Sequence, residues 1–194
     1  MEQPDGRDCR LQKKENGMNN IVLIGMPASG KSTAGVILAK TIGYGFLDID
    51  ILIQEETGRT LQEIIDSDGI EGFIQIEEQT VLSVDVKKTV IATGGSVVYG
   101  ERAMAYLQTI GSIVYLKSSC ENIEKRLDNI MTRGVVMKPG RTIRDVYAER
   151  VPLYEKYAGV IVDADTDVIE RKVEEIIRKL FGGGSPGVDR TGQR

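Results

Sequence analysis

Residues 21–32 of the chain read Ile-Val-Leu-Ile-Gly-Met-Pro-Ala-Ser-Gly-Lys-Ser. The apolar run at 21–24 predicts a buried strand, and residues 32–42 predict the helix that follows. Residues 25–32 have the spacing of a phosphate-binding loop, in which glycines let backbone N–H groups turn toward phosphate oxygens. The N-terminus of the next helix adds a dipole that favours negative charge. This stretch therefore predicts that the chain binds a nucleoside triphosphate.

Two side chains of this loop have predicted roles in phosphoryl transfer. Lys31 is placed to reach the β- and γ-phosphates, and the Ser32 hydroxyl is placed to bind Mg²⁺. A glycine-rich turn can also be a simple corner between strand and helix. The complete motif in that setting favours nucleotide binding over the plain corner.

The composition is typical of one globular domain. The chain has 194 residues, of which 41% are hydrophobic and 28% are charged. Its net charge of −4 argues against a general surface for nucleic acid or acidic membranes. The chain has no histidine, which excludes histidine-based triads and zinc sites and leaves carboxylates, lysine or solvent for acid–base chemistry.

The cysteines and the apolar runs bear on cellular location. Cys9 and Cys120 are far apart and lack the spacing of a metal site or a redox pair. No apolar run has the length of a membrane span, and the first residues lack the apolar core of a secretion signal. These features predict a protein of the reducing cytoplasm that does not enter a membrane.

Apolar runs alternate with helical patterns along the chain. Strands are predicted at 20–25, 45–48, 89–92, 111–116 and 159–162. Helices are predicted at 31–42, 60–66, 70–84, 101–108, 119–128, 142–157 and 167–180. This alternation predicts an α/β fold with a mainly parallel sheet covered on both faces, and ligands on such sheets bind beyond the carboxyl ends of the strands.

The polar ends of the chain set the predicted domain limits. Residues 1–17 are polar and lack periodicity, which predicts a disordered extension. The alternative is that the start codon is assigned too early, because Met18 would make a natural first residue. Residues 18–181 form a single predicted domain, and the glycine-rich stretch 182–194 predicts a flexible tail.

Two carboxylates follow the second predicted strand. Alternation along an extended backbone would place Asp48 and Asp50 on the same side. One carboxylate could assist Mg²⁺ while the other receives a proton from an acceptor hydroxyl. The alternative is that one of them only caps a helix beginning near Ile51, but one cap accounts for only one of the two residues.

A glycine pair follows the third predicted strand. Gly94 and Gly95 would allow a ligand to approach the backbone closely, and their N–H groups can bind oxygens. A plain turn is the alternative. Their place at another carboxyl end of the sheet favours contact with a ligand.

Three arginines are candidates for contacts with the ligands. Arg126, Arg133 and Arg150 have fixed donors and a permanent charge, as a clamp for phosphoryl groups requires. Arg133 lies in a segment bounded by glycine and proline, which predicts a mobile flap over phosphates. Ordinary surface charge is the alternative for each of them.

Together these motifs resemble shikimate kinases, in which they occur in the same order. The similarity extends from about Met18 to Leu180. The motifs are the loop at 25–32, Asp48-x-Asp50, Thr57-Gly58-Arg59, Phe73 with Glu77, Gly94-Gly95, Arg133 and Arg150-Val151-Pro152-Leu153-Tyr154.

The resemblance implies a P-loop fold like that of nucleoside monophosphate kinases. It implies a five-stranded parallel sheet flanked by helices, with a lid at about 130–141 that closes over ATP. The implied reaction is ATP-dependent phosphorylation of a small alcohol, most simply of shikimate to shikimate 3-phosphate, with Mg²⁺. The expected partners are ATP and the acceptor alcohol, with no nucleic acid and no membrane, and we expect a monomer.

The resemblance also assigns roles to individual residues. Nucleotide binding is assigned to Gly25, Pro27, Ala28, Ser29, Gly30, Lys31, Ser32, Thr33, Arg126 and Arg133. Lys31, Asp50 and Arg133 are the implied catalytic residues: Lys31 holds the transferring phosphoryl group and Asp50 takes the hydroxyl proton. Ser32 binds Mg²⁺, with Asp48 assisting through water. Arg126 packs on adenine, and the acceptor is bound by Asp50, Gly94, Gly95 and Arg150.

Departures from the family pattern lie mostly around the acceptor. Ile74 replaces an arginine that pairs with the carboxylate of shikimate, and Ser96 replaces a third glycine. Glu77 would lose its usual arginine partner, and the candidate replacements are Gln75, with neutral donors, and Arg59, if its side chain turns toward the site. In the lid, residues 133–136 are Arg-Gly-Val-Val in place of Arg-Pro-Leu-Leu, and the usual arginine and proline near 163–167 are missing.

The predicted reaction class therefore leaves the acceptor open. Shikimate is the first choice, and a sister kinase acting on another hydroxy acid or amino acid alcohol is the second. A nucleotide-binding regulatory protein without efficient catalysis is a third possibility, against which the complete set of phosphoryl-transfer residues argues.

Overall fold

The structure is a computed structural model that describes residues 20–128, 136–137, 140–166 and 168–182. Its centre is a sheet of five parallel strands in the order β2-β3-β1-β4-β5. The strands are β1 (Asn20–Ile24), β2 (Gly45–Asp48), β3 (Thr89–Ala92), β4 (Gly111–Lys117) and β5 (Val160–Asp163). All five residues of β1 are buried, as expected for a central strand covered on both faces. The predicted five-stranded parallel α/β fold is confirmed.

Helices cover both faces of this sheet. They are α1 (Lys31–Ile42), α2 (Ile49–Thr57), α3 (Leu61–Ser83), α4 (Glu101–Ile110), α5 (Cys120–Asp128), α6 (Ile143–Tyr157) and α7 (Ile169–Phe181). Leu38 of α1 and Ile176 of α7 pack in one core cluster, and Phe73 of α3 and Met104 of α4 pack in the other. A single 3₁₀ turn at Val97–Tyr99 follows the glycine pair.

Two helices differ from the prediction for identifiable reasons. The predicted helices at 60–66 and 70–84 form one element, α3, which is interrupted at Gly69 by a backbone φ of 73°. Helix α2 is not among the predicted helices, although the alternative for Asp48 and Asp50 is that one of them caps a helix beginning near Ile51. It begins at Ile49 and buries only Ile49 and Ile53, which is a weak periodic signal.

Capping residues define where the helices around the cleft begin. Thr60 and Glu63 form a reciprocal capping box at the start of α3, and Thr142 and Asp145 form another at the start of α6. These caps give both helices fixed starting points.

The predicted extension at 1–17, the tail from 183 onward and most of the predicted lid lie outside the described residues, so the domain limits remain predictions. Among the helices that the structure describes, none has the length and apolarity to cross a membrane.

Candidate active site

A cleft of about 530 Å³ opens at the carboxyl edge of the sheet. The loop before α1, the end of β2, the turn after β3 and helix α6 converge on it, as expected for a parallel sheet. Predicted site residues that line this cleft are Pro27, Ala28, Gly30, Lys31, Ser32, Asp48, Asp50, Gly94, Gly95 and Arg150. The structure therefore brings the predicted nucleotide and acceptor residues into one cavity.

Backbone carbonyl oxygens of the phosphate loop bind the Lys31 ammonium group. Lys31 Nζ donates to the carbonyl oxygens of Gly25 and Met26, both at 2.9 Å, and the residue is only 7% exposed. Gly25 has a φ of 146°, and a Cβ there would lie 2.7 Å from the Leu116 carbonyl oxygen, so only glycine fits. Gly30 caps α1 at a φ of 91°. The loop thus holds a cation beside the N-terminus of α1.

Three predicted nucleotide-binding residues of the loop, Gly25, Ser29 and Thr33, do not line the cleft. Ser29 is buried, and its Oγ has no hydrogen-bond partner in the described part of the chain. Thr33 is exposed in the first turn of α1. All three stay predictions as nucleotide ligands.

Asp48 and Asp50 face the same cleft by a different geometry from the one predicted. The extended backbone ends at Asp48, and Asp50 already lies in the first turn of α2. The expectation of alternation along an extended strand is therefore wrong. Asp48 Oδ1 accepts a hydrogen bond from the Asp50 backbone N–H at 3.0 Å, so Asp48 caps α2 and lines the cleft at once.

The glycine pair is where the acceptor residues meet. A Cβ on Gly94 would overlap Glu77 Oε1 and lie 3.0 Å from Asp50 Oδ1. A Cβ on Gly95 would lie 2.6 Å from Pro27 Cδ and 3.1 Å from Arg150 Nη1. Any larger residue at these two positions would push these groups apart.

Arg150 is a core residue and not surface charge. It is 1% exposed, donates from Nη2 to the Val136 carbonyl at 2.7 Å and from Nε to the Tyr99 hydroxyl at 3.2 Å, and stacks 5.1 Å from the centre of the Tyr99 ring. Tyr99 in turn donates to Glu149 Oε1 at 2.7 Å. The remaining nitrogen, Nη1, has no hydrogen-bond partner among the described residues. Two nitrogens thus fix the guanidinium, and the third is available to an anionic ligand.

Glu77 has a new partner in place of the arginine. The Ser96 hydroxyl donates to Glu77 Oε2 at 2.6 Å, and both residues are buried. Burial, together with the nearby Asp50 carboxylate, raises the pKa of Glu77 to about 7, although Ser96, Arg150 and Lys31 oppose the shift. Ser96, one of the departures from the family pattern, thus bonds the carboxyl group that the resemblance pairs with an arginine at position 74.

The two proposed substitutes for the missing arginine lie elsewhere. Gln75 is exposed and lines a separate groove between α2 and α3, beside Asp68 and Thr80. Arg59 is paired on the surface with Asp68 at 2.9 Å and Ser67 at 3.0 Å. Neither side chain reaches the acceptor end of the cleft in this structure.

Tyr154 supports the glycine pair, a role that the sequence analysis missed. Its hydroxyl donates to the Gly95 carbonyl at 2.6 Å and lies 3.9 Å from Met26 Sδ of the phosphate loop. Its ring stacks on Tyr115 at 5.1 Å. A single buried side chain thus ties the acceptor turn to the nucleotide loop. Its position in the Arg150–Tyr154 motif was the available signal.

We expect Tyr154→Phe to raise the acceptor KM several-fold and to leave the KM for ATP nearly unchanged. The substitution keeps the ring but leaves the partly buried Gly95 carbonyl without its donor, and loss of a buried hydrogen bond costs about 1–3 kcal/mol. Steady-state kinetics with each substrate varied, beside a thermal melt, will measure both effects. Tyr157→Phe, in the last turn of the same helix, is the matched control. An unchanged acceptor KM in a folded Tyr154→Phe protein would contradict this role.

Arg126, the predicted adenine contact, lies on α5 beside the residues that follow β4 and β5. Arg126 donates to Ser118 Oγ at 3.2 Å and to the Ala164 carbonyl at 3.3 Å, and it is half-buried. Arg133, the predicted lid arginine, lies outside the described residues. Both remain predictions as nucleotide ligands.

The chain is similar to shikimate kinases in sequence. A family model described as shikimate kinase matches residues 27–181. The chain is 36% identical over 171 residues to a shikimate kinase of Chlorobium chlorochromatii, covering 82% of this chain and 90% of the relative. It is 37% identical over 165 residues to a shikimate kinase of Thermodesulfovibrio yellowstonii, covering 84% and 95%.

Solved structures show the same likeness. A shikimate kinase from Acinetobacter baumannii in complex with shikimate superposes with a TM-score of 0.77 at 28% identity, covering 86% of this chain and 94% of that one. A shikimate kinase from Aquifex aeolicus superposes with a TM-score of 0.73 at 28% identity, covering 87% and 99%. A gluconokinase from Sinorhizobium meliloti, at 20% identity and a TM-score of 0.53, shares the fold alone.

Proposed function

The chain belongs to the shikimate kinase family, and from this premise we propose that it transfers the γ-phosphoryl group of ATP to shikimate. The products are ADP and shikimate 3-phosphate. The observation that carries the proposal is the convergence of the phosphate loop, Asp50 and Arg150 Nη1 on one cleft. A bound phosphate, an acceptor hydroxyl and an acceptor carboxylate each have a matching group there.

The nucleotide half of the cleft binds the triphosphate. Backbone N–H groups of the loop and the N-terminus of α1 contact the phosphate oxygens. Lys31 stabilises the negative charge that develops as the γ-phosphoryl group moves. Arg126 packs on the adenine, and Arg133 reaches the phosphates when the segment at about 130–141 closes.

Magnesium belongs to the proposal as well. The Ser32 hydroxyl and the Asp48 carboxylate both line the cleft, and oxygen donors suit this ion. The described residues contain no cluster of three or more histidine, cysteine or acidic side chains that could hold a metal. This donor set fits Mg²⁺, which takes few protein ligands and completes its shell with phosphates and water. When bound, the ion supplies charge neutralisation at the transferring phosphates.

The acceptor half orients the hydroxyl for in-line attack. Asp50 accepts a hydrogen bond from the reacting hydroxyl and takes its proton as the new P–O bond forms. The Gly95 N–H contacts the acceptor, and the absence of a side chain at Gly94 and Gly95 leaves room for it. Arg150 Nη1 binds the acceptor's carboxylate.

We propose a cytoplasmic monomer that binds neither nucleic acid nor membranes. The net charge of −4 argues against binding to nucleic acid, which is also negatively charged. The free thiol of Cys120 and the need for ATP are consistent with the cytoplasm.

A sister kinase with another acceptor is the second candidate function. Ile74 favours it, since loss of one arm of a two-arginine clamp weakens carboxylate binding by ~1.5–3 kcal/mol if nothing replaces it. Under this alternative the nucleotide chemistry is the same and only the acceptor differs.

Substitution of Ile74 by arginine separates the two candidates. If shikimate is the substrate, we expect Ile74→Arg to lower its KM, because Glu77 lies one helical turn away and can orient the new guanidinium. If the acceptor has changed, the same substitution places an unneeded charge in the pocket and impairs turnover of the true substrate. Ile74→Leu is the matched control. A shikimate KM that rises in Ile74→Arg, with ATP binding intact, would contradict the clamp account.

An acceptor panel tests the proposed function itself. Purified protein with Mg²⁺ and ATP is given shikimate, an analogue lacking the carboxylate, other hydroxy acids and amino acid alcohols, and kcat/KM is measured for each. We expect shikimate to rank first and the analogue without the carboxylate to rank far below it. A higher kcat/KM for another acceptor would favour the sister kinase.

A further inference from the structure

Two buried polar atoms beside the glycine pair have no hydrogen-bond partner among the described residues, and they differ in kind. Arg150 Nη1 is a permanent donor, whereas Glu77 Oε1 is a carboxyl oxygen. Both lie against the glycine pair, Nη1 beside Gly95 and Oε1 beside Gly94. Because unpartnered buried polar atoms are rare in folded proteins, this pair points to a ligand that satisfies both.

The orientation of Glu77 is fixed through its other oxygen. Ser96 Oγ donates to Oε2 at 2.6 Å, and Glu77 is only 1% exposed. With Oε2 held by Ser96, Oε1 faces Gly94 and Asp50 Oδ1. Any role of Glu77 toward a ligand is therefore carried by Oε1.

We propose that Glu77 binds the acceptor as a neutral acid, with Oε1–H donating a hydrogen bond to the acceptor's carboxylate beside Arg150. The inference rests on the proposed function, since it requires an acceptor that bears a carboxylate. It also explains how the acceptor's carboxylate can be bound although Ile74 stands where an arginine is expected. The neutral Glu77 carboxyl group, held by Ser96, replaces the second cation as a hydrogen-bond donor.

Charge balance favours the neutral form of Glu77 when a carboxylate is bound. An ionised Glu77 would face both Asp50 and the incoming carboxylate, with Arg150 and Lys31 as the nearby cations. Three anions around the glycine pair would repel one another strongly, because Glu77 is buried and poorly solvated. A proton on Oε1 removes one of these charges and supplies the missing donor.

The protonation state at neutral pH is consistent with this role. Burial is the largest cause that raises the pKa of Glu77 to about 7, and Asp50 on α2 adds to it. Ser96 in the turn after β3, Arg150 on α6 and Lys31 on α1 act in the opposite direction. A bound carboxylate adds negative charge beside Oε1 and raises the pKa of Glu77 further. Acceptor binding above neutral pH is therefore coupled to uptake of a proton.

Proton uptake is measured by isothermal titration of the full chain with shikimate at about pH 8 in two buffers of different ionisation enthalpy. We expect roughly half to one proton taken up per shikimate bound, and none in Glu77→Gln, which is a neutral isostere. Glu71→Gln, exposed on the same helix, is the matched control and should take up protons like the wild type. A structural role of Glu77 would not produce proton uptake.

Kinetics give a second, independent readout. The shikimate KM of the wild type should rise roughly tenfold from about pH 6 to about pH 8.5 while the KM for ATP stays flat, and Glu77→Gln should abolish the rise. Ser96→Ala removes a hydrogen bond that favours the ionised form, so it should move the rise to higher pH. If Glu77→Gln fails to fold, Ser96→Ala and the wild-type profile still decide the question.

The outcomes separate this inference from the proposed function. Shikimate phosphorylation without proton uptake, and with a KM that does not change with pH, would overturn the neutral-acid role and leave the proposed function standing. No shikimate binding or phosphorylation by the wild type would overturn the proposed function. Proton uptake that persists in Glu77→Gln would show that another group takes up the proton, and it would overturn the neutral-acid role of Glu77.

Discussion

Lys31→Ala is expected to lower the rate of phosphoryl transfer by at least ~10²-fold while the protein remains folded, as for loss of a preorganised charge at a transition state. The Lys31 ammonium lies inside the loop, bonded to the carbonyls of Gly25 and Met26. In the alanine variant, nothing in this position replaces the charge as the γ-phosphoryl group moves. Single-turnover transfer from ATP, measured beside a thermal melt, gives both quantities.

The matched control for Lys31 is Lys40→Ala. Lys40 lies in the last turn of the same helix and is exposed, so its removal should change neither transfer nor stability appreciably. Lys31→Arg adds a second comparison, because it keeps the charge but changes the shape of the donor. Transfer near the wild-type rate in a folded Lys31→Ala protein would contradict the assignment of the phosphate loop.

Asp50→Asn is expected to lower kcat by ~10²–10⁴-fold and to affect the KM for ATP little, because it removes a general base but keeps the shape. Asp50 lines the cleft in the first turn of α2, with Oδ1 near the glycine pair. Asparagine can still hydrogen-bond the hydroxyl but cannot take its proton. The loss should therefore fall on the chemical step.

The control for Asp50 is Glu55→Gln, an exposed carboxylate on the same helix. Single-turnover and steady-state rates should be compared for both variants, so that a change in product release is not mistaken for a change in chemistry. Equal rates in Asp50→Asn and Glu55→Gln would exclude Asp50 as the base.

The sheet and the phosphate loop were predictable because both have local signals. The apolar run at 21–24 and the glycine spacing of 25–32 specify a strand, a turn and a helix within a dozen residues. Parallel topology then places the ends of β2 and β3 beside that loop. For this reason Asp50 and Gly94 were predicted in the same cleft without any knowledge of tertiary contacts.

The boundary between strand and helix at Asp48 was not predictable in the same way. The sequence around Asp48 and Asp50 is compatible with an extended backbone or with a capped helix, and the hydrogen bond from the Asp50 N–H to Asp48 Oδ1 selects the helix. The two residues face the cleft in either case. The prediction of their location was right although its geometric reason was wrong.

Contacts between distant residues were beyond the sequence. Ser96 bonds Glu77 across 19 residues and Tyr154 bonds Gly95 across 59, and no periodic pattern relates these positions. The sequence showed Ile74 and Ser96 as two separate departures. Only the structure shows that Ser96 bonds Glu77, and that Gln75 and Arg59 point elsewhere.

The most direct test of the account follows the γ-phosphoryl group itself. The wild-type chain is incubated with Mg²⁺, ATP labelled in the γ-phosphate and shikimate, and the products are identified by mass and by phosphorus NMR. We predict that the label appears in shikimate 3-phosphate in equal amount to the ADP formed, and that Lys31→Ala transfers at least ~10²-fold more slowly. Label recovered only as inorganic phosphate, or no transfer to shikimate by a chain that binds ATP, would contradict the account.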